Sequence, residues 1–360
     1  MSARRKNNRS CRVWIALQAI LFSAIVSAEN SFPGRSIFSA DDLFTEGLAS
    51  TVEINLSDQE VRSLREHPRR EVNAVVRIGG TEFRGAEVHL KGSGTFQPID
   101  GKPSFTLKIE GLPGISKIHL NNSAEDATFA QEKLGSELFA TAGIPAPRVG
   151  HARVKVNGRD KGLYVLKEGF STEFLVRNFS EEQGTVYDKN SLRRVPQLGD
   201  SSTGWERLNE FIGVDHFVTF LAMEVLLCHW DGYGLANNNF RVYEGSTTGR
   251  FVFLPAGMDQ LFGNPAFPLD PNMTGPLARA LLESSEGKQR FGMRIAELAA
   301  KFDGPRIAQR AQEIAFSLRP VVSFSEFAGI REAAEDLSTR ILARGSFIRN
   351  QVQTFTAVPH

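Results

Sequence analysis

The sequence predicts an α+β protein with a β-rich N-terminal lobe, a mainly helical C-terminal lobe and a cleft between them. Three observations carry this. Residues 51–168 hold short alternating apolar and polar runs separated by turn dipeptides such as Gly79-Gly80 and Asn157-Gly158. Residues 169–360 hold longer runs with helical spacing. Within that second half, an apolar run from Val214 ends in a cluster of polar residues, His229, Asp231 and Asn237-Asn238-Asn239, which leads straight into another alternating run.

The elements follow in order. Thr51 to Leu56 alternates as a strand, and Ser57 caps a short helix from Asp58 to Glu66 that Pro68 closes. Glu71–Ile78 and Thr81–Lys91 are strands joined by Gly79-Gly80. A flexible loop, Gly92-Ser93-Gly94, precedes a strand over 102–109, in which Phe105, Leu107 and Ile109 share one face and Ser104, Thr106 and Lys108 the other. Residues 115–120 add a strand. Thr128–Ala142 has helical spacing and stops at Gly143. Strands over 151–156 and 162–167 flank Asn157-Gly158, a strong hairpin signal. In the second half, 172–178 is a short helix, 180–208 a polar loop, and 214–229 a buried helix that includes Cys228. Strands over 238–243 and 251–254 follow, then a Pro-rich loop and helices over 277–282, 291–302, 304–316 and 327–355.

Composition bounds the function. The 360 residues carry 42 Lys and Arg against 41 Asp and Glu. Arg4, Arg5, Lys6, Arg9 and Arg12 precede a mostly apolar stretch, Val13–Val26, and the small residues Ser27 and Ala28. This three-part pattern reads as a secretory signal peptide, 1–28, followed by an arm over 29–50. Taking those five basic residues from 42 leaves 37 against 41 acidic residues. No basic field remains for nucleic acid, and no membrane span is expected after cleavage. The expected location is exported: periplasm, cell envelope or outside the cell. Cys228 would then be the one cysteine left, a small buried hydrophobe with no disulfide partner.

The polar cluster is where chemistry is expected. Asp231 and Asp259 sit on loops at the ends of regular elements, positions from which a scaffold can hold reacting groups still. Asp259 with the amide oxygen of Asn238 or Asn239 offers hard oxygen ligands suited to Mg²⁺. Gly92 and Gly94 free backbone N–H groups for phosphate oxygens, with Lys91 beside them. Lys102 and Lys108 are both candidates for a phosphate-contacting lysine, and alternation alone leaves Lys108 facing either cleft or solvent.

The sequence resembles the spore-coat CotH kinase family, a divergent branch of the protein-kinase plan. The resemblance rests on Leu90-Lys-Gly-Ser-Gly94, residues 102–109, Leu120-Asn-Asn122, Gly143-Ile-Pro-Ala-Pro147 and Asn157-Gly158. It continues through Gly162-Leu-Tyr-Val-Leu-Lys-Glu168, His229-Trp-Asp231 with Asn238-Asn-Phe240, and residues 255–263 with Asp259. It implies a kinase-like bilobal fold: an N-lobe over 51–168, and a C-lobe over 169–360 holding the catalytic and metal-binding loops. It also implies ATP and Mg²⁺ or Mn²⁺. Position by position, Asp231 matches the catalytic Asp, His229 its support, Asn238 or Asn239 the metal-binding Asn, and Asp259 the second metal-binding residue. Lys108 matches the phosphate-contacting lysine, and Glu168 falls at the hinge that holds adenine. Two departures stand out. Asn238 lies seven residues after Asp231, against five in ordinary kinases, and Gly257 stands where many family members carry a second acid.

The expected function is ATP- and Mg²⁺-dependent phosphoryl transfer to an exposed Ser or Thr of a secreted or envelope protein. The competing expectations are an inactive envelope or adhesion protein that kept the fold, which Gly257 favours, and AMPylation at the same site.

Overall fold

The computed structural model describes residues 39–180, 183–192, 208 and 210–355. The expected signal peptide and residues 29–38 of the expected arm lie outside these residues.

The N-terminal half is built as the alternation predicts, but it closes on itself. Strands β1 (Ala49–Asn55), β2 (Val72–Ile78), β3 (Thr81–Lys91), β4 (Ser104–Lys108), β5 (Lys117–Asn121), β6 (Val149–Val156) and β7 (Arg159–Glu168) form a closed barrel in the order β1-β2-β3-β4-β5-β7-β6. The pairing that closes it is parallel, β1 against β6, with Val52 opposite Val154. The other six pairings are antiparallel, and what the closed barrel corrects is the expected bilobal arrangement. Closure removes both sheet edges, and the described residues pack as one unit rather than as two lobes. The α+β composition stands, with strands gathered in the first half and helices in the second.

Register sorts the two barrel faces. Leu90, Phe105, Leu120 and Leu166 stand side by side across β3, β4, β5 and β7, and all are fully buried. One residue along, Thr106, His119 and Lys167 form the matching row on the opposite face. That polar face lines the site. The hairpin turn is as expected: Asn157 and Gly158 both have positive φ, +47° and +76°.

Helix α1 (Ala40–Phe44) lies in the expected arm, and α2 (Asp58–Glu66) starts at Ser57 with a complete capping box to Glu60. Helix α3 (Gln131–Thr141) starts three residues later than expected because Asp126 folds the preceding turn. Its carboxylate accepts from Thr128 N, Gln131 N and Gln131 Nε2. After α4 (Thr172–Phe179), the expected polar loop contains a strand, β8 (Gly184–Tyr187), and a single turn, α5 (Lys189–Leu192). β8 joins β9 (Phe240–Gly245) and β10 (Phe251–Pro255) in a three-stranded sheet, order β10-β9-β8.

The core of the second half surrounds α6 (Val214–Leu226), a helix buried along nearly its whole length. It stops before Cys228, which is therefore not helical. Cys228 adopts φ +54°, Cys228 N donates to Val225 O (3.2 Å), and His229 N donates to Glu224 O (2.8 Å). That pair is the Schellman pattern, here with a cysteine in the left-handed position that glycine usually fills. Buried Arg344, from the last helix, donates to Leu226 O and Val225 O and covers the remaining carbonyls. Helices α7 (Tyr233–Ala236), α8 (Pro276–Glu283), α9 (Ser285–Ala300), α10 (Gly304–Phe316) and α11 (Phe324–Phe355) complete the chain. Among the described residues no helix is long and apolar enough to cross a membrane.

Candidate active site

The sharp end of α6 determines where the polar cluster sits. The reversal at Cys228 turns His229 inward, where it is buried, and leaves Asp231 on the following loop. Asp231 is held from behind. Its Oδ2 accepts from Asn238 Nδ2 at 3.0 Å and from Asn239 Nδ2 at 2.8 Å. Both amides reach back because the chain folds over itself after α7, with Asn237 and Asn239 in left-handed conformation (φ +49° and +45°). Asparagine tolerates that region better than most residues, which accounts for the run of three.

The loop carrying Asp259 is joined to the Asp231 loop at four points. Ala256 N donates to Asn239 O (3.1 Å), and His229 Nε2 to Gly257 O (3.1 Å). Trp230 Nε1 donates to Gln260 Oε1 (3.1 Å), and Phe262 N to Leu227 O (2.9 Å). Since a carbonyl only accepts, His229 is the Nε2–H tautomer. Burial holds its pKa down at about 4, so it is a neutral strut between the loops.

Gly257 now has a physical reason. Its φ is +61°, and a β-carbon there would stand 2.5 Å from Asn239 Oδ1. There is no room for a carboxylate at 257 while Asn239 holds Asp231.

A third element fixes the Asp259 loop from the barrel side. Glu132, at the start of α3, is buried; its Oε1 pairs with Lys167 Nζ and its Oε2 accepts from Met258 N at 3.0 Å. One carboxylate thereby links strand β7, helix α3 and the residue before Asp259. Asp259 has a raised pKa, first from burial and next from the negative charge of Glu132, with Lys167 acting against both. Lys91 lies in the same field. It donates to Asn121 Oδ1 (2.6 Å), and burial, with repulsion from Lys167 next, brings its pKa down to about 7. Burial lowers the pKa of Arg241 on β9, against the charge of Asp188, and of Lys117 on β5, where repulsion from Arg241 adds to it.

Among the described residues no three His, Cys, Asp or Glu side chains gather as a metal group, but Asp259, Asn238 and Asn239 carry oxygens of the kind a hard divalent cation takes. Asp259 is a mostly buried carboxylate that no other described side chain bonds. The amide nitrogens of Asn238 and Asn239 are used on Asp231, which leaves their oxygens as hard donors.

Other sequence-predicted residues are engaged elsewhere. Lys108 is 44% exposed at the outer end of β4 and pairs with Glu71 (2.7 Å) and Glu87 (2.9 Å). Glu168 is wholly buried, and its carboxylate is taken up by Arg148 and Arg177, while its N–H donates to Arg148 O. Gly92 and Gly94 form a turn beside Lys91, pinned where Arg69 donates to Gly92 O. Lys102 lies over the rings of Phe129 and Tyr164.

Sequence reasoning missed the Lys167–Glu132 pair. The signal was present: Lys167 ends a run of four buried apolar residues, Leu163 to Leu166, and a lysine continuing such a strand needs a buried partner. The partner is 35 residues away, on an element with no motif.

Comparison with known proteins bears on the same residues. Residues 88–206 match the family model described as CotH kinase protein. Inner spore coat protein H of Bacillus subtilis is 24% identical over 187 residues, covering 42% of this chain and 51% of that protein. Invasin CotH2 of Rhizopus delemar is 19% identical over 327 residues, covering 71% and 54%. The chain thus spans about half the length of these curated relatives. Among solved structures, it is similar to the Helicobacter pylori proinflammatory kinase CtkA, at 10% identity and TM-score 0.35, covering 79% of this chain and 95% of that one. It is also similar to a chain of the Shewanella oneidensis HipA, HipB and operator DNA complex, at 13% identity and TM-score 0.37, covering 86% and 75%. The matched segment takes in Lys91, Glu132 and Lys167, and over that segment the chain is similar to the CotH kinase protein family.

Proposed function

We propose that this protein is an exported CotH-like kinase that transfers a phosphoryl group from ATP to a Ser or Thr hydroxyl of a secreted or envelope protein. The observation that carries the reading is the pairing of Asp231, fixed through one carboxylate oxygen by two amides, with Asp259 on a loop joined to its own. Phosphoryl transfer needs positioned phosphates and a carboxylate at the attacking hydroxyl more than it needs covalent help. Oδ2 of Asp231 is occupied, so Oδ1 is the atom that receives the hydroxyl proton as the oxygen attacks the γ-phosphorus and ADP leaves. Lys167, held by Glu132, and Lys91 supply positive charge where the phosphates lie, with Arg241 beyond them. Asp259 and the amide oxygens of Asn238 and Asn239 would hold Mg²⁺ or Mn²⁺, which when bound neutralises phosphate charge.

The three-part pattern expected to be a signal peptide at 1–28 and the printed names of the relatives, a spore coat protein and an invasin, support an acceptor outside the cytoplasm. The test incubates the chain with labelled ATP, Mg²⁺ or Mn²⁺ and a Ser-rich acceptor, beside Asp231→Ala. Label at the γ position above the variant is the expected result. No label above the variant, together with no ATP-dependent rise in Tm, sinks the kinase reading. Label retained only from the α position identifies AMPylation instead.

A further inference from the structure

Glu224 is fully buried in the last turn of α6, and among the described residues no lysine or arginine pairs with it. A carboxyl group buried without a cation is costly, so it is retained for what it holds. Both of its oxygens hold the Asp231 loop. Oε1 accepts from Tyr233 N at 2.7 Å, and Oε2 from Gly234 N at 2.8 Å. These are the residues two and three positions beyond Asp231.

The loop is also shaped to lie against this group. A β-carbon on Gly232 would stand 2.3 Å from Glu224 Oε1 and 2.9 Å from His229 Nδ1. His229 Nδ1 is buried, has no hydrogen bond, and lies 3.9 Å from the same Oε1. On the far side, Gly234 O accepts from Thr274 N (2.7 Å), and Tyr233 Oη accepts from Leu277 N (3.1 Å). One carboxyl group therefore ties α6, the Asp231 loop and the start of α8 together.

We propose that Glu224 is a positioning residue for Asp231. It fixes the backbone after Asp231, so that the carboxylate meets its two amides and presents Oδ1 outward. It touches none of the cations assigned to the nucleotide, so its loss affects turnover rather than nucleotide affinity. This inference rests on the kinase reading for its turnover arm only.

The test compares wild type, Glu224→Gln and Glu224→Leu. Gln keeps one acceptor and turns an N–H₂ toward the second backbone donor; Leu removes the buried polar group and both acceptors. Hydrogen exchange is measured by mass spectrometry on peptides covering 229–239, with the β6–β7 hairpin as reference. The expected result is exchange at least tenfold faster in 229–239 for both variants, with the reference unchanged. In Glu224→Leu the protein folds with a Tm no higher than that of wild type, since two buried N–H donors lose their acceptors, kcat falls at least tenfold, and KM for ATP stays within twofold. A Glu224→Leu protein that folds and keeps wild-type loop protection overturns the proposal, as does one with wild-type kcat. If wild type itself transfers no phosphate, the kinase reading fails and the exchange result alone decides the role of Glu224.

Discussion

Asn239 Oδ1 occupies the space above Gly257, 2.5 Å from where a β-carbon would be, while its amide nitrogen holds Asp231 at 2.8 Å. The two residues are coupled across the joined loops, and any side chain at 257 displaces the amide from the carboxylate. Gly257→Ala is expected to lower stability by about 2 kcal/mol, from left-handed backbone strain and the lost packing together. Urea denaturation measures it. Asn239→Ala with Gly257→Ala recovers the steric share and leaves the backbone share. A Gly257→Ala protein as stable as wild type contradicts the coupling.

Lys167 and Glu132 are both buried, so removing one strands the other. Lys167→Met is expected to cost about 3–5 kcal/mol, the usual range for a buried ion pair broken on one side. Lys167→Met with Glu132→Leu recovers most of that loss, since both charges are gone. If the pair serves nucleotide binding, the double variant is stable yet shows no ATP-dependent rise in Tm. A double variant that still responds to ATP removes Lys167 from the phosphate site.

Lys108 and Lys91 separate the sequence expectation from the structural placement. Lys108 bridges two half-exposed glutamates, an arrangement worth about 0–1 kcal/mol. Lys108→Ala is expected to stay within that range and to leave the ATP-dependent Tm shift unchanged. Lys91→Met is expected to weaken ATP binding at least tenfold, measured by calorimetry. The reverse pattern would restore Lys108 to the site.

His151 gives a pH dependence that can be assigned to one group. It is buried, bonds Phe129 O through Nε2 at 2.7 Å, and burial holds its pKa at about 4, below the ordinary 6.5. The unfolded chain takes up a proton below 6.5 that the folded chain refuses until about 4. Its contribution to stability is therefore present above 6.5 and is lost as pH falls through that window, at about 1.4 kcal/mol per pH unit. His151→Gln keeps an N–H donor and does not titrate. The stability difference between wild type and His151→Gln is expected to shift with that slope between pH 6.5 and 4, read from urea midpoints. A difference independent of pH shows that His151 is already protonated in the fold.

The elements of the first half were legible because their signals are local. Strand alternation over 81–91, the Ser57 helix cap and the Asn157-Gly158 turn each lie within about ten residues, and each forms as expected. Asp231, Asp259 and the Asn run were legible as polar residues at loop ends, and the structure joins those two loops. Lys108 was misleading. Its parity puts it on the same barrel face as Thr106, but position along the strand, which alternation does not report, places it at the outer edge beside Glu71 and Glu87.

The sequence by itself determined the α+β class, most of the order of elements, the resemblance to the CotH kinase family and the two loops that carry the carboxylates. These depend on periodicity, capping and short motifs, which act between near neighbours. Only the tertiary structure decided the rest: the parallel β1–β6 closure, the Lys167–Glu132 pair, the burial of Glu224 under the Asp231 loop, and the reason for Gly257. Each of these joins residues through space. Their energies depend on burial and on partners 8 to more than 100 residues away. A charged residue in a sequence has no fixed meaning until the fold sets its solvent and its counter-charge.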